Sequence, residues 1–304
     1  MTAAARVGTS AALACNICGA SVAEQECERA SVCSNVRRFR QESFELWRCP
    51  ACSSLHARTD VDLDHYYRAY PIFSAELDWK LDVVYGSMLK RLTRAGLRRE
   101  HRILDYGCGS GALVKYLRAN GYGETAGYDA FAPEFKDPSV LDARYDCIVS
   151  QDVIEHVDDP LGLLRKFDSL VVPGGLVSIG TPDAAAIDLG RADDFIHTLH
   201  QPYHRHIFSK VALETAGEAL GWKVEQFYST MFNNTPVPTM NPRFVLHYVR
   251  CNDDCFDLIT EPIRTPLRLF TPATLFFALF GSLFDRHTDI QFMFRTASGE
   301  AGGS

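Results

Sequence analysis

The chain has 304 residues, 46% of them hydrophobic and 23% charged, enough apolar material for one large domain or two smaller ones with a sizeable core. A formal net charge of −7 argues against a polyanion as the dominant partner, because nucleic-acid binders draw most of their affinity from Lys and Arg contacts to phosphate. Ten cysteines without a secretory signal point to a reducing compartment, hence the cytoplasm, with thiols free or on metal rather than in disulfides.

Residues 1–14 read as a disordered leader of small side chains with no apolar core of signal-peptide length. Cys15-Asn-Ile-Cys18 and Cys49-Pro-Ala-Cys52 are two C-x-x-C pairs separated by 30 residues, the pattern of two knuckles closing on one tetrahedral ion. Four thiolates suit structural Zn²⁺ and leave no position open for water or substrate, so residues 15–60 are expected to be a zinc ribbon. Cys27 and Cys33 are taken as ordinary thiols between the knuckles, and Ser43 to Arg48 alternates as a strand would. Residues 61–100 are expected to be a helical linker or lid. Its tyrosines Tyr66, Tyr67 and Tyr70 either cover a bound cofactor or pack the linker down, and Tyr66 and Tyr70 are the cofactor-side candidates. An amphipathic helix follows from Glu76 to Ala95.

From Arg102 strand and helix patterns alternate, which implies a mostly parallel sheet with helices on its faces. The strand Arg102–Asp105 breaks into Gly107-Cys108-Gly109-Ser110-Gly111 and then into a helix stopped by Gly121. Glycines here remove the Cβ that would keep a ligand off the backbone, and the helix start presents unpaired N–H groups. The strand Thr125–Asp129 ends in an acid placed to bind a ribose diol. Further strands are expected at Tyr145–Ser150 and Gly175–Gly180, with a helix between them capped by Asp159-Pro160.

Together, Leu104-Asp-Tyr-Gly-Cys-Gly-Ser-Gly111, Gly127-Tyr-Asp129, the stretch Tyr145 to Val157 and Val172-Pro-Gly-Gly to Pro182 resemble class I S-adenosylmethionine-dependent methyltransferases over roughly Tyr66 to Tyr228. The resemblance implies an α/β Rossmann-like sheet across 101–304. It implies that Asp105, Gly107, Cys108, Gly109 and Gly111 surround the amino-acid part of the cofactor, with Asp129 and the adjacent Ala130 at its ribose. Only 15 residues separate Asp129 from Tyr145, so the third strand and its helix are shortened and the family's adenine contact is not assigned. Ser150 and Gln151, at the carboxyl end of the next strand, are taken as cofactor wall. Asp152, Glu155 and His156 resemble the E-x-x-E-H segment of quinone-biosynthesis O-methyltransferases that can hold a divalent ion, although the same segment is in many relatives only a loop entering a helix.

Four of the ten histidines fall in His197 to His206. They pack the loop before the helix Lys210–Leu220, or they include a base, since imidazole accepts a proton near neutral pH. His200 and His204 are the candidate bases, Tyr203 an orienting neighbour, and His206 a packing residue. The strands Trp222–Tyr228 and Asp289–Arg295 should pair, with a cap insertion at 229–288 between them. Its apolar helix from Pro272 to Phe284 must be buried in a cap, a homodimer interface or a substrate pocket; membrane-surface binding is disfavoured because a basic polar face is missing. Cys251 and Cys255 are read as structural thiols.

The expected activity is methyl transfer from S-adenosylmethionine to a small-molecule acceptor, O-directed, in a biosynthetic pathway of the natural-product or sugar type that similar zinc-ribbon methyltransferases serve. C- or N-methylation uses nearly the same scaffold. A zinc-ribbon RNA methyltransferase is the alternative substrate class, weakened by seven basic against six acidic residues in 1–60. A noncatalytic partner protein is the alternative outside enzymes.

Overall fold

The computed structural model describes residues 12–68, 79–259, 261, 270–284 and 286–298. Ala12–Ala14 (β1), assigned above to the leader, pairs antiparallel with Ser21–Ala23 (β2) and leads into the first knuckle. Arg29–Cys33 (β3), Ser43–Arg48 (β4) and Leu55–Ala57 (β5) form an antiparallel sheet. After it come two helices, Leu63–Tyr67 (α1) and Trp79–Arg94 (α2). The expected start of the second, at Glu76, lies outside the described residues.

The larger sheet uses Ile103–Tyr106 (β6), Thr125–Tyr128 (β7), Tyr145–Gln151 (β8) and Val171–Pro182 (β9), all parallel, with Ala112–Ala119 (α3) and Pro160–Leu170 (α4) as crossovers. Where a shortened third strand and helix were expected, the chain after Asp129 makes two short 3₁₀ turns, Pro133–Phe135 and Pro138–Asp142, and returns directly to β8. Next come Ile196–Leu199 (α5), His206–Ile207 (β10), Lys210–Ala219 (α6), Lys223–Tyr228 (β11), Pro242–Asn252 (α7), Pro272–Phe280 (α8) and Asp289–Arg295 (β12). The six strands run in the order β11-β12-β9-β8-β6-β7, with the closing hairpin antiparallel. Alternating side chains of the strands feed two cores. Ile148, Val177, Phe292 and Phe294 meet α4 and α6 through Leu164, Phe167 and Leu213, whereas Cys147, Val149 and Met293 meet α2 and α3 through Met88, Leu92 and Leu117.

The ribbon is sewn onto this sheet. The two-residue β10, in the histidine stretch, pairs antiparallel with β5, so the small sheet reads β10-β5-β4-β3. Val32, Leu46 and Leu55 share a core with Ala184, Ile187, Leu199 and Ile207, and Arg48 donates to the carbonyls of Ala184 and Ile187. In the insertion, Pro242–Asn252 forms α7, a helix not assigned from the sequence; Asn241 caps it by accepting from the Phe244 N–H. The apolar helix ends at Phe280 and tightens into a 3₁₀ turn, Gly281–Phe284. The expectation that it is buried all round is not met within this chain: Thr274 and Ala278 are buried, while Leu275, Leu279, Phe280 and Leu283 are exposed.

Candidate active site

The carboxyl ends of β6, β7 and β8 meet at the glycine loop. Gly107 has φ +79°, and a Cβ there would overlap Val153, so a side chain is excluded on both grounds. Gly109 has φ +51° with nothing within 4 Å of a built Cβ, which leaves open space above the loop. The Gly109 N–H donates to Asp129 Oδ2 at 3.0 Å, while Asp129 Oδ1 accepts from the Phe131 and Ala132 N–H groups at 2.8 and 2.9 Å. Three backbone donors thus aim this carboxylate and still leave lone-pair capacity on Oδ2. Asp105 is fully buried, and its carboxyl is pushed up to about 7 by desolvation and then by Asp129. Two acids with no ion pair among the described residues suit a ligand that brings positive charge, as a sulfonium and an ammonium group do. Cys108 turns its sulfur inward over Gly127, Ala130 is exposed beside Asp129, and Gly111 is the left-handed N-cap of α3.

At the end of β8, Ser150 Oγ and both polar atoms of the Gln151 amide are buried without a hydrogen-bond partner. Gln151 lies flat on Gly180 of β9, where any Cβ would strike it. Orphaned polar atoms at the carboxyl edge of a parallel sheet fit the polar edge of a ligand. Tyr70 lies outside the described residues. Tyr66 turns toward the ribbon, its hydroxyl donating to Glu42 at 2.6 Å and its ring 4.7 Å from Phe39. Tyr67, which was not among the cofactor-side candidates, stands nearer the glycine loop than Tyr66: its ring stacks on Phe131 at 4.2 Å, two residues beyond Asp129, and its hydroxyl meets His156 Nδ1 at 2.9 Å. One tyrosine therefore bridges the cofactor end of the site and the histidines.

His200, Tyr203 and His204 pack together in a buried cluster with His156 and Glu155. His204 Nδ1–H donates to the Thr198 carbonyl at 2.8 Å, which fixes the tautomer and leaves Nε2 with its lone pair, 4.0 Å from Glu155 Oε1. The Arg205 N–H donates to the Glu155 carbonyl at 2.6 Å and locks the two segments together. Glu155 accepts from Thr181 at 3.1 Å through one oxygen, and the other has no hydrogen bond. Burial holds the His204 imidazole down at about 4, His156 and His200 well below the usual range, and Glu155 well above it, so the pocket is uncharged as it stands. His200 and Asp152 both carry left-handed φ, +39° and +53°, and such strain collects at functional sites. Tyr203 stacks on His200 at 4.9 Å and donates to the Tyr66 carbonyl at 3.0 Å, so it positions rather than points outward.

A residue that no motif marked holds this loop. Asn35, from the ribbon, accepts from His200 Nδ1–H at 2.7 Å and donates to His197 Nδ1 at 3.2 Å, and His197 Nε2–H meets Asp254 at 2.8 Å. A second relay runs from Asn16 to His206 at 3.2 Å, on to His56 at 2.9 Å, and from His56 Nε2 to Cys15 Sγ at 3.2 Å. His206, read above as packing, is therefore also a polar link to the knuckles.

The four knuckle sulfurs lie within 4.8 Å of one another, with Cys15–Cys52 and Cys18–Cys49 at 3.7 Å. A tetrahedral ion with ~2.3 Å bonds to sulfur sets its ligands about 3.8 Å apart, so the cluster has the size of a thiolate metal site. Glu155, His156 and His204 form a second group with ligand atoms within 4.8 Å, and Asp152 is not part of it.

Residues 82–226 match a family described as methyltransferase domain. Over these residues, just under half of its length, the chain is similar to a methyltransferase domain. It is 30% identical over 142 residues to a ubiquinone biosynthesis O-methyltransferase of Parvibaculum lavamentivorans, covering 40% of this chain and 48% of that one. To the protein of the same description from Aeromonas salmonicida it is 28% identical over 180 residues, covering 50% and 71%. The chain thus spans about half the length of the first of these relatives. Among solved structures, the plantazolicin methyltransferase in complex with SAH is 13% identical, with a TM-score of 0.43 over 77% of this chain and 89% of that one. The match covers the loop, Asp129, Ser150, Gln151 and the histidines, and leaves the ribbon and the whole insertion outside.

Proposed function

We propose that this protein transfers a methyl group from S-adenosylmethionine to a hydroxyl of a small-molecule acceptor. The observation that carries the reading is that Tyr67 joins the Asp105/Asp129 loop and the Glu155–His156–His204 pocket along one edge of the sheet. When bound, the cofactor supplies a methyl carbon already activated by its sulfonium sulfur, so the protein's share is to align the reactants and remove the hydroxyl proton. Asp105 and Asp129 hold the cationic and diol ends, and Ser150 and Gln151 offer polar atoms along the wall. His204 takes the proton at Nε2 while the Thr198 carbonyl holds Nδ1–H, and Glu155, 4.0 Å away, is the acid nearest the imidazolium that forms. His200, whose ring is held by Asn35 and Tyr203, orients the group.

The four thiolates of Cys15, Cys18, Cys49 and Cys52 hold structural Zn²⁺; their spacing supports this and their closed sulfur set excludes a catalytic role. The convergence of Glu155, His156 and His204 supports a second reading, a divalent ion held by these three; it is an alternative to His204 as base, because the one free nitrogen, Nε2, cannot both hold a metal and take a proton. The exposed stripe Leu275, Leu279, Leu283 of α8 and the turn after it supports a homodimer through 229–288, to be read by sedimentation with a Leu279→Glu control. No helix among the described residues is long and apolar enough to cross a membrane. The deciding experiment is calorimetric titration with S-adenosylmethionine, followed by mass spectrometry of candidate phenols for the gain of one methyl. His204→Ala should abolish turnover with cofactor affinity unchanged; turnover that survives the substitution removes His204 as base, and absence of cofactor binding removes the enzyme reading.

A further inference from the structure

Beside the histidine pocket, a cavity of about 40 Å³ opens between the histidine segment, α7 and the end of the insertion. A water needs roughly 10–15 Å³ of such space, so the cavity has room for one small polar group and not for a whole acceptor. Thr198, whose carbonyl holds His204, lines it together with Arg243, Arg286 and Asp289. It is therefore one residue away from the proposed base.

Its charge is one-sided at the arginines. The Arg243 guanidinium sits 5.1 Å over the Phe277 ring, its Nε is buried without a hydrogen-bond partner, and it forms no ion pair among the described residues. A buried guanidinium N–H left dry is costly, and an orphan of this kind asks for a ligand. Among the described residues Arg286 donates to the Asp194 backbone carbonyl alone, at 3.2 Å, and Arg250 donates to the same carbonyl at 2.5 Å. The Asp194 carboxylate is already engaged by Arg191, and Asp254 by His197. Burial and then Arg250 and Arg243 disfavour the charge on Arg286, against a smaller opposing contribution from Asp194. Asp289 is the carboxylate of the other wall, where it adds to the burial that raises Asp152; with Asp194 taken by Arg191, the two arginines outnumber it.

We propose that Arg243 and Arg286 form a subsite for a single carboxylate or phosphate group carried by the methyl acceptor. The assignment rests on the methyltransferase reading and narrows its substrate class to acceptors with an anionic substituent. Arg is the residue suited to such planar, bidentate capture.

The test uses the full chain with inorganic phosphate, benzoate and neutral benzamide as probes, scored by thermal shift at constant ionic strength, with S-adenosylmethionine affinity measured on the same samples. Phosphate and benzoate should stabilise the protein, benzamide should not, and Arg243→Gln or Arg286→Gln should weaken benzoate about tenfold or more. Arg243→Lys, which keeps the charge, should retain part of the effect, and cofactor affinity should be unchanged throughout. Equal response to benzoate and benzamide, or benzoate binding untouched in Arg243→Gln, overturns the subsite. Phosphate binding without benzoate binding marks a site for free phosphate and overturns the acceptor assignment. Benzoate binding in a protein that does not take the cofactor sinks the methyltransferase reading instead.

Discussion

Asn35 is the residue through which the ribbon reaches the histidines, and replacing it with Leu, of similar volume, isolates its polar role. The side chain is almost wholly buried. Asn35→Leu removes the acceptor of His200 Nδ1–H, a loss of about 1–3 kcal/mol in a site closed to water. It also removes the donor to His197, which is only half-buried and can recruit water, so about 0.5–1.5 kcal/mol is expected there. The Asn35 carbonyl keeps its bond from the Phe256 N–H, so the backbone is not at stake. The sum, about 1.5–4.5 kcal/mol, corresponds to a melting midpoint lower by roughly 3–18 °C at about 2–4 °C per kcal/mol. Differential scanning calorimetry and urea unfolding measure it. Turnover should fall as the left-handed His200 loses its tether, with cofactor affinity held, because Asn35 touches nothing at the glycine loop. A stability loss under about 0.5 kcal/mol, or turnover equal to wild type, would refute the idea that the ribbon positions the catalytic loop.

Three further outcomes are expected. Asp105, held at about 7, should fall when a cationic cofactor binds, so binding near neutral pH releases protons; the heat should differ between buffers of different ionisation enthalpy and become equal in Asp105→Asn, and equal heats in the wild type would contradict the charge argument. One zinc per chain should be found by elemental analysis, with Cys49→Ser losing it and lowering the unfolding midpoint, whereas a zinc-free but fully stable wild type rules the site out. His204 and His206, depressed to about 4, bind fewer protons folded than unfolded, so stability present above about 6.5 should be lost as pH falls toward 4, by up to ~1.4 kcal/mol per pH unit for each. Asp105 and Asp152, raised to about 7, and Glu155, raised as well, act in the opposite sense, but with His56, His156 and His200 also depressed the five histidines outnumber the three acids. Urea midpoints that stay level from pH 6.5 to 4 would contradict this.

Much of the catalytic domain was legible because local chemistry dictates it. Gly107 and Gly109 need left-handed φ, Asp129 ends a strand whose partner carries the loop, and Asp159-Pro160 caps α4 by accepting from the Gly162 N–H. The shortening after Asp129 could be foreseen from the short span before Tyr145. Less legible was α7, where Arg243, His247 and Arg250 interrupt the apolar pattern and the helix depends on the Asn241 cap. Tyr66 and Tyr67 are neighbours of the same type, and only the packing of α1 against Phe39 and Phe131 separates their roles.

The sequence by itself determined the knuckle cysteines, the glycine loop with its two acids and the alternation of strand and helix, since each follows from spacing and backbone conformation within a short segment. Only the tertiary structure decided that Asn35 belongs to the histidine loop, that His206 joins the ribbon sheet and that Arg243 stands unpaired beside Thr198. These depend on side chains far apart in the chain whose polar groups must be satisfied once water is excluded, and that requirement leaves no mark in local sequence.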